Sequence, residues 1–167
     1  MEDYSSAKLK AIYLKYNSAN LNLDRKGLSR VPDAVIELSE VQRLYLRKNK
    51  LTKLPTSINK LNRLRWLLLD GNNLTELPSE IGDLKELYGL RVSNNQLVGL
   101  PTSIQKLNML SWLSLNGNNL TELPAETGDL KKLCHLSVSN NQLVGLPNSI
   151  QKLNRLEGLD LDGNNFT

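Results

Sequence analysis

The chain has 167 residues, enough for one domain, and its 37 leucines against 7 valines and 6 isoleucines rule out an ordinary mixed core. No apolar run reaches 18 residues, the N-terminus has no basic stretch leading into an apolar one, and Cys134 is the only cysteine. A spanning helix, an internal disulfide and a cysteine-built zinc site are therefore excluded, and a reduced, cytoplasmic protein without secretory signal or cofactor is expected. The net charge of +4 conceals an asymmetry: residues 1–66 hold 14 Lys/Arg against 6 Asp/Glu, and residues 67–167 hold 7 against 11. Such a molecule is electrically polar along its length.

In chain order, residues 1–17 come first. Leu9, Ile12, Tyr13 and Tyr16 fall at i, i+3, i+4 and i+7, with Lys8, Lys10 and Lys15 elsewhere and Ser5 or Ser6 placed to N-cap. This predicts an N-terminal helix that caps the coil beginning at residue 18, rather than a membrane-surface helix.

Residues 18–167 are periodic. Leu21, Leu44, Leu67, Leu90, Leu113, Leu136 and Leu159 lie 23 residues apart, and a second apolar column runs two residues on. Asn49, Asn72, Asn95, Asn118, Asn141 and Asn164 keep the same period, as do all 6 prolines, from Pro32 to Pro147. Alternate strand residues point to opposite faces, so Leu67 and Leu69 fill a core while Leu68 faces outward. Each asparagine is expected between coils, bonding backbone groups that the turn leaves unpaired. After each Leu-Pro, the spacing Ile104-x-x-Leu107-x-x-Leu110 predicts helical or 3-10 return segments.

The pattern Leu-Pro-x-x-Ile-x-x-Leu-x-x-Leu-x-x-Leu-x-Leu-x-x-Asn-x-Leu resembles the leucine-rich repeat family, in particular its 23-residue Ras-suppressor-like and plant intracellular Ras-group-related members. The resemblance implies an α/β repeat solenoid: a right-handed arc with a parallel concave sheet, convex 3-10 or helical segments and non-enzymatic protein binding. Seven registers are present, the last incomplete. Lys26 replaces the first asparagine, Phe166 the last leucine, and Thr127 stands in the column of Val35, Ile58, Ile81, Ile104 and Ile150. A hydroxyl in that apolar column needs a partner, so its coil is expected to be softer.

The repeats also alternate. Between residues 67–112 and 113–158, 34 of 46 positions are identical, and 7 of the 12 differences (68, 70, 88, 89, 91, 111 and 112) flank or alternate with the strand leucines. The frame is kept while the concave face diverges, which is the expected mark of recognition. That face carries Arg43, Tyr45, Arg47, Arg65, Trp66, Leu68, Tyr88, Arg91, Trp112 and His135, rich in the Trp, Tyr and Arg of binding hot spots. With strands about 4.8 Å apart, Gly89 is expected to leave a notch roughly 9.6 Å wide between Trp66 and Trp112. A protein or peptide partner is predicted, in a signalling or immune-recognition setting. The alternatives are a secreted or cell-surface pattern-recognition receptor, which the missing cysteine-rich caps disfavour, and a nucleic-acid groove, which the acidic end (Glu157, Asp160, Asp162) disfavours.

No catalytic or metal site is expected. Cys134 and His135 are adjacent on a strand and point apart, so they make no nucleophile–base pair. At the far end, Leu153, Leu156 and Phe166 are candidates for weak homodimerisation through an uncovered last coil.

Overall fold

In the computed structural model the described residues are 19–166, so the capping helix expected over residues 1–17 lies outside them. Seven three-residue strands form one parallel sheet in chain order: β1 (Asn20–Asn22), β2 (Arg43–Tyr45), β3 (Trp66–Leu68), β4 (Gly89–Arg91), β5 (Trp112–Ser114), β6 (His135–Ser137) and β7 (Gly158–Asp160). Neighbours pair i with i+23, so the leucine column runs down the strand centres. From Leu44 to Leu136 these central leucines are fully buried. Each contributes about 2 kcal/mol of apolar burial, delivered only through contact with the next coil. In the last coil Leu159 is 43% exposed.

The return path begins with a proline in extended conformation, whose carbonyl accepts the N–H three residues on, as Pro55 does from Ile58 at 3.0 Å. The resulting segments Thr56–Lys60, Ser79–Asp83, Thr102–Lys106, Ala125–Asp129 and Asn148–Lys152 are all 3-10, while the first return is a short α-helix, α1 (Asp33–Ile36). The tighter i to i+3 pattern is common in such short connectors. Ile58, Ile81 and Ile104 bury their side chains fully beneath these segments.

The asparagine column forms a ladder. The Asn72 amide donates to the carbonyls of Leu69 (2.8 Å) in its own coil and Leu46 (2.9 Å) in the preceding one, and its oxygen accepts the Leu51 N–H at 3.0 Å. Asn49, Asn95, Asn118, Asn141 and Asn164 repeat the arrangement. One side chain thus pairs three backbone groups that a turn would otherwise bury unbonded.

A further column governs the turn: Arg25, Lys48, Gly71, Asn94, Gly117, Asn140 and Gly163 all have φ between 53° and 71°. Glycine and asparagine suit this left-handed backbone; arginine and lysine occupy it at a cost of order 1 kcal/mol each. The alternation of glycine and asparagine gives the 46-residue superperiod a packing reason. The Asn94 and Asn140 side-chain oxygens stand 2.6 Å from where a Cβ would project on Gly117 and Gly163. On the convex side Gly82 and Gly128 lie against the backbones of Ser103 and Ser149, with no room for a methyl group. The unit that repeats is a pair of unlike coils shaped to each other.

Thr127 is fully buried, and its hydroxyl has no hydrogen-bond partner. The Leu130 N–H to Thr127 carbonyl bond is 3.3 Å, against 3.0–3.2 Å at the equivalent places.

Candidate functional site

The strand centres bury leucine, so the residues on either side of each centre face the other side of the sheet, and the recognition candidates group there by column. At the strand starts, Arg43, Arg65, Trp66 and Tyr88 converge on a groove of about 570 Å³ that Gln42, Glu86 and Met109 complete. Trp66 and Tyr88 stand with ring centroids 5.6 Å apart, tilted at 54°. Tyr88 is 45% and Met109 42% exposed, which gives the groove an apolar wall open to solvent. Arg65 reaches Glu86 at 3.6 Å, whereas Arg43, exposed at the rim, forms no ion pair among the described residues.

Gly89 does not form the expected notch. The Trp66 indole lies across it, with Cε3 and Cζ3 where a Cβ would project. The glycine is a floor that lets the ring lie down, because an indole gains more by covering a neighbouring strand than by standing in water. The same lean recurs further on: the Trp112 and His135 ring centroids are 4.3 Å apart at a 40° tilt, and the His135 Nδ1 is 2.7 Å from the Cβ position of Gly158. Trp112 and His135 therefore form their own pair, outside the Trp66–Tyr88 groove.

At the strand ends the candidates are tied into the frame. The Arg47 guanidinium donates to Asp24 from Nε (2.9 Å) and Nη2 (2.6 Å) and sits 5.4 Å from the Tyr45 ring centroid. This side-chain bonding raises the Arg47 pKa above its ordinary value despite some desolvation. Arg91 approaches Asp70 at 3.2 Å. Asp24 and Asp70 also cap the N–H groups of Arg47 (2.7 Å) and Ser93 (3.0 Å). Leu68, expected to face outward, is only 8% exposed, since Tyr45 and Arg91 flank it in register on either side.

Sequence reasoning missed Gln42, Glu86 and Met109. A signal existed for two of them: Glu86 and Met109 are among the 12 differences between the duplicated halves, and Met109 interrupts the charged column Glu40, Arg63, Glu86, Lys132, Arg155. Cys134 is free, and its Sγ reaches the Lys132 carbonyl at 3.5 Å. Of the self-association candidates, Leu153 is buried, Leu156 half-buried and Phe166 42% exposed. Among the described residues no group of three His, Cys, Asp or Glu side chains is placed to hold a metal, and no helix is long and apolar enough to cross a membrane.

Comparison with known proteins places the fold. A leucine-rich repeat region model matches residues 89–165, and a leucine rich repeat model matches residues 19–74. No curated protein matches the chain significantly. A leucine-rich repeat protein of Leptospira interrogans is similar over 98% of this chain and 48% of its own, at 32% identity and TM-score 0.78. The leucine-rich repeat domain of the type III effector XopL is similar over 98% and 60%, at 29% identity and TM-score 0.84. The ectodomain of the plant membrane receptor kinase GASSHO1/SCHENGEN3 from Arabidopsis thaliana, in complex with CASPARIAN STRIP INTEGRITY FACTOR 2, is similar over 81% and 17%, at 39% identity and TM-score 0.74. The chain thus spans about half the length of the first of these structures and three fifths of the second. With two family models spread along its coils, the same fold in each neighbour and an unbroken 23-residue register, the chain belongs to the leucine-rich repeat family.

Proposed function

We propose that this protein is a non-enzymatic recognition module that binds a protein or peptide partner across the strand-start side of its concave sheet. Leucine-rich repeat domains are generally protein-interaction modules, and a receptor ectodomain of the same fold is complexed with a factor. One observation carries the reading: the half-buried Trp66, the exposed Tyr88, a thioether and the guanidinium of Arg43 meet in one groove of about 570 Å³. Buried aromatic and arginine anchors dominate binding energy when water is excluded around them. The partner supplies an apolar side chain to Trp66, Tyr88 and Met109 and a carboxylate to Arg43.

Selection from a displayed peptide library tests this. The enriched peptides should carry an apolar residue close to an acidic one, and Trp66→Ala or Tyr88→Ala should each weaken them by about 2 kcal/mol, as for interface anchors. Changing Lys85 on the convex face should leave binding intact. Equal losses on both faces would refute the proposal. Self-association is a second reading, favoured by the exposed Leu159 and Phe166 of the last coil.

A further inference from the structure

The left-handed turn column carries an observation that the groove does not use. Five of its seven positions hold glycine or asparagine, and only Arg25 and Lys48, in the first two coils, do not. Both are exposed at the strand-end edge of the sheet, opposite the aromatic groove, and neither forms an ion pair among the described residues. Left-handed backbone costs stability at a charged side chain that glycine or asparagine would avoid, so the two positions call for a reason other than folding. Together with Asp24 and Arg47, these two cations line a depression of about 210 Å³.

The local charge is unbalanced. Asp24 is held by the Arg47 guanidinium and N–H, so three cations against one carboxylate leave a net +2 at the depression. The corresponding residues in the next two coil pairs are Asp70, Gly71, Ser93 and Asn94, then Asn116, Gly117, Ser139 and Asn140, which include no cation. Lys50 and Arg30, both exposed in the adjoining turns, extend the cationic edge.

We infer that this edge docks an acidic polypeptide segment, with Arg25 and Lys48 as its specific contacts. The two residues lie on adjacent coils, about 4.8 Å apart in strand spacing, and an extended peptide running across the coils presents alternate carboxylates about 6.6 Å apart. Long, flexible arginine and lysine side chains span that difference, so an acidic–x–acidic pattern fits. A nucleic acid backbone, whose charge continues along its whole length, would run on into Asp70 and Glu76 in the adjoining coil, whereas an acidic–x–acidic segment ends at the two cations.

The test is fluorescence anisotropy on the full chain with a labelled peptide of alternating glutamate and serine, at low and moderate salt. Binding should weaken at least tenfold in Arg25→Gly/Lys48→Asn, whose residues match the later coils, while the Tm of that variant rises by a few degrees. Arg25→Gln/Lys48→Gln keeps the left-handed backbone cost and should lose binding to the same degree. Lys85→Gln/Lys106→Gln removes equal charge from the convex face and should bind as the parent does. Retained binding in either edge variant would overturn the inference, as would equal binding of a glutamine–serine peptide. Tighter binding of oligouridylate or of anionic phosphatidylserine vesicles than of the acidic peptide would overturn it as well.

Discussion

Replacing Thr127 by valine tests the energetics of the coil most directly. The side chain is fully buried, in a column filled elsewhere by valine or isoleucine, and its hydroxyl bonds to nothing. In the unfolded chain that hydroxyl is hydrated, so folding strips its water without compensation, at about 1–3 kcal/mol. Valine has nearly the same shape, so the exchange opens no cavity and adds no bulk. Thr127→Val should therefore raise stability by about 1–3 kcal/mol, seen as a higher urea midpoint at unchanged slope. The reverse change in the sister coil, Ile81→Thr, should cost a similar amount plus about 0.8 kcal/mol for the lost methylene burial. Equal or lower stability of Thr127→Val would show that the hydroxyl is bonded in solution and that the coil carries no such penalty.

Gly89→Ala should push the Trp66 indole off its floor; a shift in tryptophan emission and a tenfold or greater loss of peptide affinity would show it, and unchanged emission would contradict the packing. Asn95→Ala leaves the Leu74 N–H and the Leu69 and Val92 carbonyls without their side-chain partner, and should cost about 2–4 kcal/mol in chemical denaturation. Exposed Asn73→Ala should stay within about 0.5 kcal/mol of the parent. Lys48→Asn alone should raise the Tm, since asparagine serves the same turn at 94 and 140. If the last coil self-associates, sedimentation across a hundredfold concentration range should show a dimer that Phe166→Asp abolishes.

The architecture was legible in the sequence because a solenoid converts sequence period into contact. Residue i meets residue i+23 throughout, so a column of leucines, asparagines or prolines in the chain is a column in space. The Leu21–Leu136 core, the bridging role of Asn72 and its equivalents, and the unpartnered hydroxyl of Thr127 all stem from that identity. The left-handed column was not read from the sequence: glycine and asparagine alternate at 71, 94, 117, 140 and 163, but the turn they serve, and Arg25 and Lys48 as its exceptions, emerge only from the backbone angles. A period names which residues are neighbours, but it leaves open which way a long side chain leans and what it finds there. Trp66 covering Gly89, Arg47 and Arg91 held by Asp24 and Asp70, Leu68 sealed between its neighbours, and Met109 joining the aromatic groove were decided by packing between coils. Those choices turn on rotamers and local charge pairing, which depend on distances of a few ångström that no repeat pattern encodes.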